Sequence, residues 1–331
     1  MGILRFREDV RVLSRSSCVG HDEFRGPLGG AFDFHDDSDR FGAPTWEKAE
    51  SALGRTVFNL ALKKANLSHE ALDVLLAGDL QNQCVASACS FAGFGVPYIG
   101  LYGACSTFAE GVLCAALMLS GSPEIRRAAV VTTSHNCAAE RQFRLPLEYG
   151  GQRPPTAQWT ATAGGCVLLC RGGGGVRVTA GMAGRMVDAG ISDAANMGAA
   201  MAPAAADTLL RWFGESGESP ADLDAIVTGD LGREGSVILS DLLAAKGISL
   251  SGKHRDCGSM LYDPARQDVH AGGSGCGCAA SVTAAHFLPL LEKKEARRIL
   301  LLATGALMSP SSVQQGCSII GIAPAVLWEA E

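Results

Sequence analysis

One phrase occurs twice in this chain, and that repetition constrains the fold more than any other feature. Leu72-Asp73-Val74-Leu75-Leu76-Ala77-Gly78-Asp79-Leu80 returns as Leu223-Asp224-Ala225-Ile226-Val227-Thr228-Gly229-Asp230-Leu231. Each copy reads as an acid, a short apolar strand and a Gly-Asp-Leu turn. Each follows a segment with apolar residues at helical spacing, 53–65 in the first copy and 204–213 in the second. Cap-like signals stand between helix and strand, Ser68-His69-Glu70 in one copy and Ser219-Pro220-Ala221-Asp222 in the other. A second pair of phrases follows in the same order. Cys105 opens a small-residue helix that leads to Arg126-Arg127 and an apolar strand, and Cys276 opens another that leads to Arg297-Arg298 and a strand. From cysteine to first arginine is 21 positions in both copies. Helix, strand, loop, helix and strand, twice in one order, predict two similar α/β halves. Mostly parallel strands with right-handed crossovers would follow. The run Gly172–Gly175 marks the join, giving halves 1–175 and 176–331.

Composition agrees with such a fold and excludes others. A chain of 331 residues can bury a sizeable core. With 41 glycines it is unsuited to a helical bundle and suited to many tight turns. The net charge of −6 argues against nucleic acid as the main partner, because phosphate binding needs a clustered basic surface. The longest apolar runs, 111–121 and 299–308, fall short of the roughly 20 residues that span a bilayer. The start, MGILRFREDV, carries charge where a signal peptide is apolar. The chain is therefore expected to be soluble, or at most peripheral to a membrane. None of its 12 cysteines forms a Cys-x-x-Cys pair, so reduced, mostly buried thiols are expected, with no metal and no cofactor.

The chemistry-bearing residues gather in a few places. Gly103-Ala104-Cys105-Ser106-Thr107 follows a short apolar stretch and precedes a helix. Such a strand–turn–helix elbow presents Cys105 and Ser106 at a helix N-terminus, which favours a thiolate or a bound anion. The alternative is a cysteine that simply packs in a tight turn. A nucleophilic cysteine needs a base, and His135, beside Cys137, and His270 lie where loops leave strands. Either is equally a structural histidine. The stretch 138–151 carries Glu140, Arg141, Arg144 and Glu148, with Arg153 just beyond. Its arginines could grip carboxylates bidentately or form an ion-pair network across a dimer interface. Asp79 and Asp230 close their Gly-Asp-Leu phrases and could cap the next segment. Gly272 and Gly273 lie in a glycine cluster that lets backbone pass close to a ligand or to the other half. The acidic stretch 33–39 reads as a solvated loop.

With these residues in place, the chain resembles the thiolase and ketoacyl-synthase superfamily through its elbow, duplication and glycine cluster. Within it, the chain is similar to the stage V sporulation AD family. The phrases 77–83 (AGDLQNQ), 101–107 (LYGACST), 133–136, 139–144 (AERQFR), 148–154 (EYGGQRP), 197–208 (MGAAMAPAAADT), 271–278 (AGGSGCGC) and 303–310 (ATGALMSP) carry the likeness. The resemblance implies a thiolase-like fold of duplicated α/β halves in a layered αβαβα arrangement. It implies a role in endospore formation, as the dipicolinic acid-binding component of a membrane machine that imports dipicolinate with calcium. It further implies other membrane subunits as partners, a peripheral place at the spore inner membrane, and a homodimer by superfamily analogy.

Condensing enzymes of the superfamily pair their elbow cysteine with His-His or His-Asn. Here the second-half strand ends Val227-Thr228-Gly229-Asp230, and the later turn reads Ala271-Gly272-Gly273-Ser274, without either partner. Lacking an imidazole, condensation should lose several kcal/mol of transition-state stabilisation. The elbow is thus expected to bind anions without running acyl chemistry, with Arg141 or Arg144 taking a second carboxylate. An acyltransferase using Cys105 with His135 as replacement base, and a docking scaffold for membrane subunits, are the competing expectations. The chain departs from the sporulation family at Ile322-Ala323-Pro324, where Ile-Ala-His is expected.

Overall fold

The computed structural model describes residues 2–143 and 153–331. Ten strands form one continuous path. They are β1 (Leu4–Gly20), β2 (Val74–Gly78), β3 (Tyr98–Gly100), β4 (Arg127–Ser134), β5 (Ala163–Arg171), β6 (Arg177–Met182), β7 (Ala225–Thr228), β8 (His254–Asp256), β9 (Arg298–Leu302) and β10 (Ala325–Glu329). Their spatial order is β8-β7-β9-β10-β6-β1-β5-β4-β2-β3. Read outward from the centre, each half repeats one pattern. The sequence is β1, β5, β4, β2, β3 in the first and β6, β10, β9, β7, β8 in the second. Pairings match too. The two inner contacts of each half are antiparallel and the two outer ones parallel. The expectation of mostly parallel strands is therefore corrected. β5 and β10 run against their neighbours, a choice that apolar runs do not encode because parallel and antiparallel buried strands read alike.

The Asp–Arg-Arg correspondence has a physical cause. Asp73 accepts from the backbone N–H groups of Arg126 and Arg127 at 2.7 and 2.9 Å. Asp224 accepts from those of Arg297 and Arg298 at the same 2.7 and 2.9 Å. In each half the acid that opens one strand fixes the entry of its parallel neighbour, so register is set twice by one device.

Five helices build the layers: α1 (Trp46–Ala65), α2 (Thr107–Gly121), α3 (Met197–Ser216), α4 (Gly232–Ala244) and α5 (Cys276–Val282). Helix α1 starts at the Thr45 cap and stops at Asn66, whose left-handed backbone returns its N–H to the last turn. Helix α3 runs through Pro203, so it begins earlier than the spacing after that proline suggests. Strand alternation then assigns three cores. Leu75 and Ala77 face α1 with Leu53, Val57 and Phe58. Leu300 and Leu302 face α3 with Leu209 and Trp212. Val74 and Leu76 with Leu301 and Trp328 enclose Phe108 and Val112 of α2 and Ala279 and Ala280 of α5. That middle core makes the arrangement helix, sheet, helix, sheet, helix. Helix α2 and its preceding turn are long and apolar enough to cross a membrane, but they lie in this central layer.

Candidate functional site

The elbow is built by local strain at a packed position. Ala104 adopts a left-handed backbone (φ 51°), uncommon for a residue with a Cβ, and a 3-10 turn over Ala104–Ser106 leads into α2. Ser106 turns back to donate to the Gly103 carbonyl at 2.7 Å, so it serves the turn. Gly305 crosses above it. A Cβ there would lie 2.8 Å from the Gly103 oxygen and 3.1 Å from Ser106 Cβ, so glycine is needed for the close approach. Cys105 ends 5% exposed, packed against Leu80, Ala139 and Cys276.

The thiol faces a hydroxyl backed by a carboxylate. Cys105 Sγ lies 3.8 Å from Ser274 Oγ. Ser274 donates to Asp230 Oδ2 at 3.1 Å, and the Gly275 N–H donates to the same oxygen at 2.9 Å. Thr304 donates to Asp230 Oδ1 at 2.7 Å. Gln158 Nε2 ties the backbone together, donating to the carbonyls of Asp230 at 2.7 Å and Gly273 at 2.9 Å. Gly272, at φ 114°, and Gly273 shape that turn against Gly258 and Tyr262.

Electrostatics follow from this enclosure. Burial pushes Asp230 up to about 6, against the hydrogen bonds that favour its charged form. Burial, and then the Asp230 charge, hold the Cys105 thiol well above its ordinary range. The thiolate favoured by an exposed helix N-terminus is opposed here by desolvation and by a neighbouring anion.

A cavity of about 220 Å³ opens beside Cys105. Tyr102, Phe143, Met197, Leu307 and Met308 form apolar walls, Thr160 and Ser274 add hydroxyls, and Glu140 contributes a carboxylate. Of the sequence candidates, Cys105 and Glu140 line this space, and Asp230 stands behind Ser274. Cys137 and Arg141 are not among the lining residues. Arg141 instead forms an ion pair with Glu47. His135 turns away. Its Nε2 meets the Asp39 carbonyl at 2.8 Å and its ring lies 5.4 Å from that of Trp46. His270 sits 3.3 Å from the Asp268 carboxylate. Arg144 and Glu148 lie outside the described residues.

Sequence reasoning missed Asp256. This carboxylate accepts from Thr228 Oγ1, the N–H groups of Leu231 and Gly232, and the Ser259 N–H, all within 3.0 Å. It thereby fixes the turn that carries Asp230. Its position as the cap of a short helix after β8 was the available signal. Asp79, the first-half equivalent of Asp230, does act as a cap, accepting from Gln81 N at 2.8 Å and Ser87 N at 2.7 Å.

Comparison with known proteins fits this geometry. Solved structures with the same fold include cerulenin-bound OleA of Xanthomonas campestris, at TM-score 0.60 and 16% identity over 98% of both chains. They also include 3-oxoacyl-[acyl-carrier-protein] synthase III of Aquifex aeolicus, at TM-score 0.55 and 14% identity over 97% of this chain and 99% of that one. At these identities the likeness establishes the thiolase-like fold. The sequence matches the family described as stage V sporulation protein AD (SpoVAD) over residues 2–329. It is 42% identical to stage V sporulation protein AD of Bacillus subtilis (strain 168), over 98% of this chain and 95% of that protein. This chain is therefore a member of the stage V sporulation protein AD family, built on the thiolase-like fold.

Proposed function

We propose that this sporulation-family chain is a non-catalytic binding protein for dipicolinic acid, taken alone or as its calcium chelate, within the assembly that loads the developing spore. The observation that carries the reading is the neighbourhood of Cys105: a buried hydroxyl–carboxylate pair, Ser274 and Asp230, stands beside the thiol, while His135 and His270 are held on Asp39 and Asp268. Burial and the adjacent anion both oppose the thiolate that a cysteine nucleophile needs. The cavity is kept all the same, and its aromatic and methionine walls suit a planar ring while the hydroxyls meet polar ring substituents. Arg141 is engaged with Glu47, so it does not serve as the second carboxylate clamp in this arrangement. A calcium chelate, which brings its own neutralising charge, suits a cavity that no lysine, arginine or histidine lines among the described residues. Isothermal calorimetry with dipicolinate, with and without calcium, tests the reading. Saturable 1:1 heat is expected, and its absence under both conditions removes it.

The competing acyltransferase reading draws on the activities of the fold relatives. Brief iodoacetamide treatment at neutral pH, followed by peptide mass spectrometry, is expected to label the exposed Cys89 and Cys317 and to spare Cys105. An acyl-CoA adduct that is lost in Cys105→Ala would favour the enzyme.

Location and partners belong to the same proposal. The chain would sit peripherally at the spore inner membrane, held by membrane subunits. The sheet edge at β3, with Tyr98 and Ile99 each 39% exposed, offers unpaired backbone on which a second copy could continue the sheet.

A further inference from the structure

An anionic ligand in this cavity meets a problem of charge. Among the described residues no lysine, arginine or histidine lines the space, while Glu140 stands on its wall and Asp230 lies behind Ser274. Glu140 is only partly buried, but Asp230 is fully enclosed and cannot turn to water. Its surroundings supply donors and no cation. Cys105 approaches from the elbow, Ser274 and Gly275 from the glycine turn, and Thr304 from beyond β9. Asp256, from β8, adds a second buried carboxylate nearby, and the thiols of Cys257 and Cys278 close the shell.

We propose that a ligand carboxylate entering the cavity is accompanied by one proton, taken from solvent onto Asp230. The inference rests on the binding reading above and adds the manner in which the site tolerates an anion. The hydrogen bonds give it a mechanism. While Asp230 is ionised, Ser274 donates its one hydroxyl hydrogen to Oδ2 at 3.1 Å and offers a ligand only lone pairs. Once Oδ2 is protonated, it donates to Ser274 Oγ instead. The Ser274 hydrogen is then released towards the cavity, where a carboxylate can accept it. One proton thus removes a repelling charge and creates a donor at the same place. Asp230 is poised for this exchange because burial already holds it close to neutral protonation.

Calorimetry of dipicolinate binding, with chelator present to exclude metal, tests this in two buffers of different ionisation enthalpy. At pH 7 the wild type is expected to take up between about half and one proton per ligand, and affinity should fall roughly three- to eightfold from pH 6.5 to 7.5. Asp230→Asn is expected to bind without uptake and with a flat pH profile, whereas Glu140→Gln should retain the uptake. Ser274→Ala provides a second readout, losing about tenfold in affinity at pH 6 and little at pH 8. Binding without proton uptake by the wild type overturns the inference and leaves the binding reading intact. So does uptake that persists in Asp230→Asn. No saturable heat from pH 5.5 to 8 overturns both.

Discussion

Gly165→Ala is expected to lose about 3 kcal/mol or more of stability and to fold poorly, because strand and helix touch there without room for a methyl group. A Cβ at Gly165 of β5 would lie 2.4 Å from the Ala280 carbonyl carbon, 2.5 Å from its oxygen and 2.6 Å from its Cβ, all in α5. Two of these atoms are backbone, so no rotamer change relieves the clash. The same interface recurs one turn away, where a Cβ on Gly277 would lie 2.0 Å from the Ala163 oxygen. Helix α5 belongs to the second half and β5 to the first, so this contact joins the repeats in the middle layer. Thermal unfolding should show a midpoint lowered by roughly 10 °C, or no soluble protein at all. Gly214→Ala is the control. Nothing lies within 4 Å of a Cβ at that helical position, and the change should be neutral or stabilising by up to about 1 kcal/mol. Equal midpoints for the two variants would contradict the packing account.

Ala194→Trp is expected to weaken dipicolinate binding by about 100-fold, or roughly 2.7 kcal/mol, with little loss of stability. Ala194 lines the cavity from a half-buried loop, so a larger side chain there fills ligand space before it disturbs a core. The indole is also larger than a cavity of about 220 Å³ can share with an aromatic diacid. A melting midpoint within a few degrees of wild type, together with lost binding heat, separates occlusion from unfolding. Unchanged affinity would move the ligand to another surface, and the groove bearing Lys48 and Arg55 beside α1 would then be the place to look.

Much of the fold was legible because duplication leaves a trace that one chain can be compared against itself to find. The paired phrases at Asp73 and Asp224 mark the same backbone capture in both halves. The direction of β5 and β10 was not legible, since a buried apolar run carries no mark of its neighbour's orientation. The site divides the same way. The elbow at Cys105 follows from residue order, for only a tight turn brings a strand into α2 there. The fates of His135 and Arg141 do not follow from it. A residue just past a strand end can face the cavity or the flank, and here the Asp39 carbonyl and Glu47 hold these two on the flank. The repeated Gly-Asp-Leu phrase even concealed a difference. Asp79 caps a local segment, whereas Asp230 reaches Ser274, Gly275 and Thr304 across the fold. Identical local sequence met different long-range neighbours, and those neighbours decide the chemistry.

The proposed function has the elbow cleft hold a ligand without acyl chemistry. A crystal structure after soaking with dipicolinate tests it most directly. The diacid is expected in the cavity between Met308 and Ser274, with the Cys105 sulfur unmodified and no imidazole within hydrogen-bonding reach of it. An empty cavity with the diacid bound elsewhere would contradict it, as would a histidine swung onto Cys105.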